Sequence, residues 1–348
     1  PVYSLLNHYS DNEQKDIQNF YLFLEKSYFA TMLNHLKTLC DIKVPITGIG
    51  GISEEDNIKS QAKCDYIDLH TYWDQPISNK SIPTVNSFNI HNKSFLKSDF
   101  SLITNIKRIK TQIQKYLKPN EKPLTISEWN HCYPNVYAYE LAPILSCFAK
   151  ENNIHTVTNF AFSHKRKYIM MTDPYITNFF DIIHNPQQLL VNALSSLIFH
   201  CKNSISFDYE DDFVHIGNQN IKVFIGKIKN RPLKANIGNK CLNIKTKSNG
   251  LIGLYCYPSN SSRYKDSFLL FAIGPIKNNR NNKNKWGKHP TFLKSIDVRL
   301  EAASPKQELT LQNIFFQKKK SKQEKIKGKT IYIRTSESQS PCSLLTLL

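Results

Sequence analysis

The first two hundred residues alternate between two hydrophobic periods, and this alternation restricts the possible folds more than any other feature of the chain. Residues 11–38 place Ile17, Phe20, Leu24, Tyr28, Met32 and Leu36 three or four apart. That spacing is one face of a long helix, with Asp11 as its N-cap. Val44–Gly48 then reads as a short strand ending in glycine, Ser53–Asp56 as the start of a short helix, and Tyr66–His70 as a second strand. Residues 98–117 return to the helix period at Phe100, Ile103, Ile106, Ile109, Ile113 and Leu117. Leu124–Ser127 is a third strand, and Asn135 caps a helix running to about Lys150. Thr156–Phe160 is a fourth strand. Asn185-Pro186 opens a last helix reaching about His200, since proline is favoured at the first helical position.

Helix and strand alternating in this way predict a parallel sheet with helices outside it. Four βα units are half of an eight-stranded barrel, which takes about 250 residues. A doubly wound open sheet produces the same alternation and competes with it. Gly48-Ile49-Gly50-Gly51 lacks the spacing of a phosphate-binding loop and reads as a turn. From residue 203 short β-rich runs follow one another: 205–207, 213–216, 223–225, 251–255, 268–271, 295–300, 309–314 and 330–333. Spacers such as Ser248-Asn249-Gly250 separate them, which predicts an antiparallel sandwich. The expected organisation is a partial (β/α)8 barrel over 1–202 and a β-sandwich over 203–348, α/β followed by all-β.

Charge enters next, because the chain carries 46 basic and 28 acidic residues, net +18. Of the basic residues 39 are Lys and only 7 are Arg. Asn and Ile are abundant too, a mixture that AT-rich coding tends to produce whatever the function. Nucleic-acid readers lean on Arg, whose planar fork reads phosphates and guanine edges. The lysines are spread along the whole chain, and the tracts 277–285 and 317–329 read as solvated loops. No specific nucleic-acid partner is therefore expected, although a Lys-rich binder remains a competing class. No apolar run reaches the ~18 residues that span a bilayer. The eight cysteines form no CxxC and read as ordinary buried thiols. Pro1 opens the chain with no basic-then-apolar leader behind it, so the chain is expected to be processed, trimmed or a fragment, and it carries no address that fixes its compartment.

In a parallel α/β barrel the chemistry sits at the carboxyl ends of the strands. There the sequence has His70-Thr71-Tyr72-Trp73-Asp74, Glu128-Trp129-Asn130-His131 and Phe162-Ser163-His164. Aromatic faces stack on sugar rings and short polar groups bond sugar hydroxyls. Rim aromatics of a barrel would look the same, and His70, His131 and His164 would also suit a metal, though at no local metal-motif spacing. Glu128 is the sharpest candidate. A carboxylate there serves as nucleophile of a retaining glycosidase, in which two carboxyls lie roughly 5–5.5 Å apart and one attacks while the other protonates the leaving oxygen. A structural Glu in an ion pair or cap is the alternative.

Pro123–His131 resembles the strand-seven motif of clan A glycoside hydrolases, the retaining TIM-barrel group that includes family-five-like cellulases and mannanases. Asp65–Trp73, with its His-x-Tyr segment, resembles their strand six, Val44–Gly48 their strand five, and Asn159–His164 their strand eight. Phe268–Gly274, with Asn278 and Trp286 beyond it, resembles the β-sandwich that follows the barrel. The resemblance implies that Glu128 is the nucleophile, that Tyr72 orients it and that His70 lines the same subsite. It implies sugar contacts from Trp73, Trp129, Asn130 and His131, with His164 at the strand-eight end. No cofactor and no metal are implied. In the family the acid/base Glu ends strand four after an Asn. This chain is expected to begin just beyond that point, without the acid/base and half the barrel. Asn12-Glu13 offers such a pair, but Glu13 reads as a first-turn helix residue. A half barrel leaves strand edges unpaired, so a missing N-terminal half or self-association is the expected partner. The leading reading is thus the nucleophile half of a retaining β-glycoside hydrolase. A decayed relative that only binds carbohydrate or protein is the second.

Overall fold

The computed structural model describes residues 8–50, 55–77, 90–117, 122–164, 178–183, 185–238, 240–257, 267–278, 290–292, 297–303, 309–314, 326–328, 330–334 and 342–347. Trp286, the helix start at Ser53-Glu54 and most of both lysine tracts lie outside them. The chain divides into two compact units. The first comprises Pro1–Thr71, Ser101–Trp129 and Asn153–Thr158, the second Tyr72–Phe100, Asn130–Asn152 and Asn159–Leu348.

In the first unit the long helix α1 spans Asp11–Asn34 and continues into a π-helical turn, His35–Leu39. Its N-cap is Ser10 rather than Asp11: the Ser10 hydroxyl accepts from the Glu13 amide while the Glu13 carboxylate accepts from the Ser10 amide. This reciprocal cap satisfies two end groups, and an Asp one residue later has no comparable donor to reach. The inward stripe also differs from the expected one. Of the expected stripe Ile17 and Leu36 are half-buried, and Leu22, Phe29 and Leu33 are buried or half-buried beside them, whereas Phe23 and Tyr28 are 64% and 60% exposed, and Phe20, Leu24 and Met32 are exposed too. The helix carries two apolar stripes, and period alone does not choose between them. Helix α2 (Glu55–Ser60) packs on α1 and on α3 (Ser101–Tyr116). Helix α3 buries Leu102, Ile103, Ile106, Ile109 and Ile113, as its periodicity predicts.

Three strands, β1 (Ile67–Trp73), β2 (Leu124–His131) and β3 (Ile154–Asn159), are hydrogen-bonded in the order β1-β2-β3. Ile67 N–H donates to Pro123 at one end of the first pair and Cys132 N–H to Trp73 at the other, so β1 and β2 run parallel. Val44–Gly48 forms no ladder strand. Pro45 has no N–H, the Ile46 amide is taken by the Asp65 carboxylate at 2.8 Å, and the Gly48 and Ile49 amides go to Gln61 Oε1 at 3.0 and 2.8 Å. Side chains occupy the donors that a strand would use. Gly48 and Gly50 sit at bends, Gly51 lies outside the described residues, and a Cβ on Gly48 would lie 2.7 Å from Gln61 Oε1 and 2.8 Å from Phe29.

The second unit holds α4 (Leu141–Glu151), α5 (Pro186–Phe199) and two antiparallel sheets. Asn135 does not cap α4, which starts six residues later; its Nδ2 donates to Asp74 and to the Lys93 carbonyl. Asn185 does cap α5, accepting from the Gln188 amide, with Pro186 at the first helical position. The larger sheet contains β4 (Ser206–Glu210), β5 (Phe213–Gly217), β6 (Ile221–Gly226), β9 (Gly250–Cys256), β10 (Phe268–Ile273), β14 (Leu309–Ile314), β15 (Ile326–Gly328) and β17 (Cys342–Leu347). Its order is β15-β14-β17-β10-β9-β6-β5-β4. The smaller sheet, in the order β16-β13-β8-β7, adds β7 (Leu233–Ile237), β8 (Lys240–Thr246), β13 (Asp297–Ala302) and β16 (Thr330–Arg334). A short hairpin pairs β11 (Ile276–Asn278) with β12 (Pro290–Phe292). Strands β11 and β15 thus replace loop at the edges of the two lysine tracts.

Alternate residues of both sheets meet in one core: Leu233, Ala235 and Ile237, Leu242 and Ile244, Ile252 and Leu254, Phe268 and Leu270, Val298 and Leu300. That is the interior of a sandwich. The other face of the larger sheet is covered by α5, so β9 and β10 are apolar on both sides. A Cβ on Gly253 would stand 2.6 Å from Leu194 of α5, so the missing side chain is what lets helix and sheet meet.

Candidate active site

In the first unit the period-two alternation of β1 and β2 sorts apolar from polar. Ile67, Leu69, Leu124 and Ile126 are buried on one face, leaving Asp68, His70, Thr125 and Ser127 to share the other. Asp68 is nearly fully buried and ties the two strands together. Its Oδ1 accepts from the Thr125 hydroxyl at 2.5 Å and the Ser127 amide at 3.0 Å, and its Oδ2 accepts from the Ser127 hydroxyl at 2.5 Å. His70 stands two residues further along β1. Its Nε2 lies 3.1 Å from Ser127 Oγ and 3.3 Å from Asp68 Oδ2, and its Nδ1 lies 3.4 Å from Glu128 Oε2. Glu128 sits near the carboxyl end of β2 with its side chain 31% exposed. The sequence clusters Glu128 and His70 are therefore brought together. Asp68 and Ser127, which hold them, lie inside the strands rather than at their ends. The signal that marks Asp68 is its i−2 position to His70 on the same face.

The remaining sequence candidates belong to the second unit, apart from Trp129 in the first. Trp129, Asn130 and His131 are 2%, 1% and 0% exposed. These three do not offer a surface to a sugar. The strand end turns their side chains into packed interior. Asn130 Nδ2 donates to the carbonyls of Phe160 (2.5 Å) and Phe180 (2.8 Å), and burial pushes the His131 imidazole down to about 3, keeping it neutral. Trp73 donates its indole N–H to the Lys93 carbonyl at 3.0 Å and packs edge-on against Phe95. The Tyr72 ring packs with Phe160 and Phe180, at 6.5 and 5.1 Å between centroids. Tyr72 and Trp73 are half-buried and His164 is exposed. Its Nδ1 is 2.5 Å from Asp181 Oδ1, which also accepts its backbone N–H at 3.0 Å, and its ring meets Phe160 edge-on.

Among the described residues no group of three or more His, Cys, Asp or Glu could hold a metal ion. Nor is any helix among them long and apolar enough to cross a membrane. Cys64, Cys132, Cys147 and Cys256 are buried thiols, and burial lifts Cys147 to about 12.

No protein-family model matches this sequence, and no curated protein does. Solved structures do. A GH39 enzyme from Xanthomonas axonopodis pv. citri is 12% identical with a TM-score of 0.38, the match covering 92% of this chain and 63% of that one. The GH51 arabinofuranosidase from the same organism is 11% identical with a TM-score of 0.34, over 92% and 62%. A monomeric beta-xylosidase from Caulobacter crescentus CB15 is 10% identical with a TM-score of 0.34, over 82% and 56%. The structural neighbours are thus glycoside hydrolases, and the chain spans less than two thirds of their length.

Proposed function

We propose that this chain carries the nucleophile side of a retaining β-glycoside hydrolase site, with Glu128 as the nucleophile. The observation that carries the reading is the placement of Glu128. It stands near the carboxyl end of β2, part-exposed, with an imidazole at 3.4 Å that is itself anchored to Asp68 and Ser127. A nucleophilic carboxylate needs that combination of access and fixed orientation. His70, in the same unit as Glu128, is the group we assign to its orientation.

Neither Glu13 nor Asp68 supplies the acid/base. The Glu13 carboxylate closes the cap of α1. Asp68 is buried and accepts from the Thr125 and Ser127 hydroxyls and the Ser127 amide. Leaving-group protonation contributes typically about 10²–10⁴-fold in rate, so the chain alone should turn over unactivated glycosides poorly. The occupation of Glu13 also favours a second reading, a chain that binds carbohydrate without turnover.

Activated 2-deoxy-2-fluoroglycosyl fluorides separate the two, because fluoride departs without a general acid. The nucleophile reading expects a glycosyl adduct on the peptide containing Glu128, absent in Glu128→Gln. An adduct on another residue, or equal labelling of Glu128→Gln, refutes the assignment.

A further inference from the structure

We infer that Asp68 is a positioning residue for Glu128: acting through His70, it fixes a proton on Nε2 of the imidazole, so that the contact between Nδ1 and Glu128 must hold a second proton. The argument is a count of donors and acceptors. Ser127 has one hydroxyl hydrogen, and it is committed to Asp68 Oδ2 at 2.5 Å. Towards His70, at 3.1 Å, the Ser127 oxygen therefore has only lone pairs to offer. The other neighbour of Nε2 is Asp68 Oδ2 at 3.3 Å, also an acceptor. Both groups facing Nε2 thus require it to be N–H.

That choice propagates across the ring. With Nε2–H fixed, a neutral imidazole presents a bare lone pair at Nδ1, and Glu128 Oε2 stands 3.4 Å from it. Two lone pairs facing at that distance repel, so one proton lies between them. It is held either as an imidazolium beside a carboxylate or as a protonated Glu128 donating to Nδ1. The backbone makes room for this pose. A Cβ on Gly50 would stand 2.8 Å from Nε2 and 2.9 Å from Cε1 of His70, so a side chain there would push the ring out of register.

The functional consequence rests on Glu128 being the nucleophile; the proton placement does not, and the experiment keeps them apart. The full chain is labelled with ¹⁵N-histidine, and long-range ¹H–¹⁵N correlations read both ring nitrogens of His70, assigned by their loss in His70→Gln. The wild type should show Nε2 protonated. Glu128→Gln, whose amide can donate to Nδ1, should convert the ring to the neutral Nε2–H tautomer. Asp68→Asn should lose the Nε2–H preference and show Nδ1–H, while Ser127→Ala should keep Nε2–H through Asp68. A wild-type ring with a bare Nε2, or an Asp68→Asn ring still fixed as Nε2–H, overturns the inference; the wild-type and Ser127→Ala spectra decide it if Asp68→Asn does not fold. In the fluoroglycoside assay, Asp68→Asn should label Glu128 more slowly than wild type, by up to about a hundredfold, the order of rate that misplacement of a reacting group costs. A chain that labels nowhere removes the nucleophile reading and leaves the tautomer result standing.

Discussion

Glu140 should make the second unit less stable as pH rises through neutrality. Its carboxyl is 2% exposed and sits at the start of a short 3-10 turn, Leu96–Ser98. It accepts from the Ser94 hydroxyl at 2.9 Å, the Phe95 amide at 2.7 Å and the Leu96 amide at 3.2 Å. Burial outweighs these three donors, with Asp212 adding repulsion, and raises Glu140 from 4.5 to about 7. The raised value means that the folded state holds the proton more tightly than the unfolded chain. The stabilisation is complete below about 4.5 and is lost as pH climbs through 7. At about 1.4 kcal/mol per pH unit, the difference between pH 4 and pH 8 is about 3 kcal/mol.

Glu140→Gln isolates that effect. Its amide carbonyl can still accept from the Phe95 and Leu96 amides, and Ser94 can accept from the amide nitrogen instead of donating. Urea denaturation of both proteins at a series of pH values, followed by tryptophan fluorescence, gives the difference in stability at each. The wild type should be the more stable near pH 4–5 relative to the variant and should lose about 3 kcal/mol of that margin by pH 8. A margin that stays level across the range, or grows with pH, refutes the reasoning about burial.

Two further substitutions test the frame. Gly226 has φ +95°, and a Cβ there would stand 2.1 Å from the Asp212 carbonyl oxygen; Gly226→Ala should cost about 3 kcal/mol in denaturation, combining strain and overpacking. Ser10→Ala removes the N-cap of α1 and should cost about 1 kcal/mol, read as faster amide exchange confined to the first turn of that helix.

Local physics carried a good deal of this protein. The stripe at Ile103, Ile106, Ile109 and Ile113 named both the helix and its buried face, because α3 has a single apolar stripe. Asn185-Pro186 named the start of α5, because a cap and a proline act within four residues. Leu124–Ser127 is legible as a strand, and the resemblance of Pro123–His131 to a glycosidase motif points to Glu128. In the second half the runs at 213–216, 223–225 and 251–255 all became strands, whereas β7 and β8, with lysines and asparagines on their outer faces, were passed over.

What local pattern could not reach is anything decided by a group distant in sequence. Val44–Gly48 has the composition of a strand, but Asp65 and Gln61, more than ten residues away, take its amides. Helix α1 has two apolar stripes, and only its neighbours select Leu22, Phe29 and Leu33 over Phe23 and Tyr28. Asn130 and His131 read as site residues by their position after a strand; packing in the second unit makes them interior. Asp68 shows the reverse. It looks like an ordinary strand residue until β2 brings Thr125 and Ser127, nearly sixty residues on, against its carboxylate. The sequence by itself determined the strongly periodic elements, such as α3 and the run 251–255, and which carboxylate to suspect, because those depend on nearest neighbours. The tertiary structure alone decided which of the two apolar stripes of α1 is buried and which groups hold Glu128, because burial and hydrogen-bond pairing belong to contacts that no short window of sequence contains.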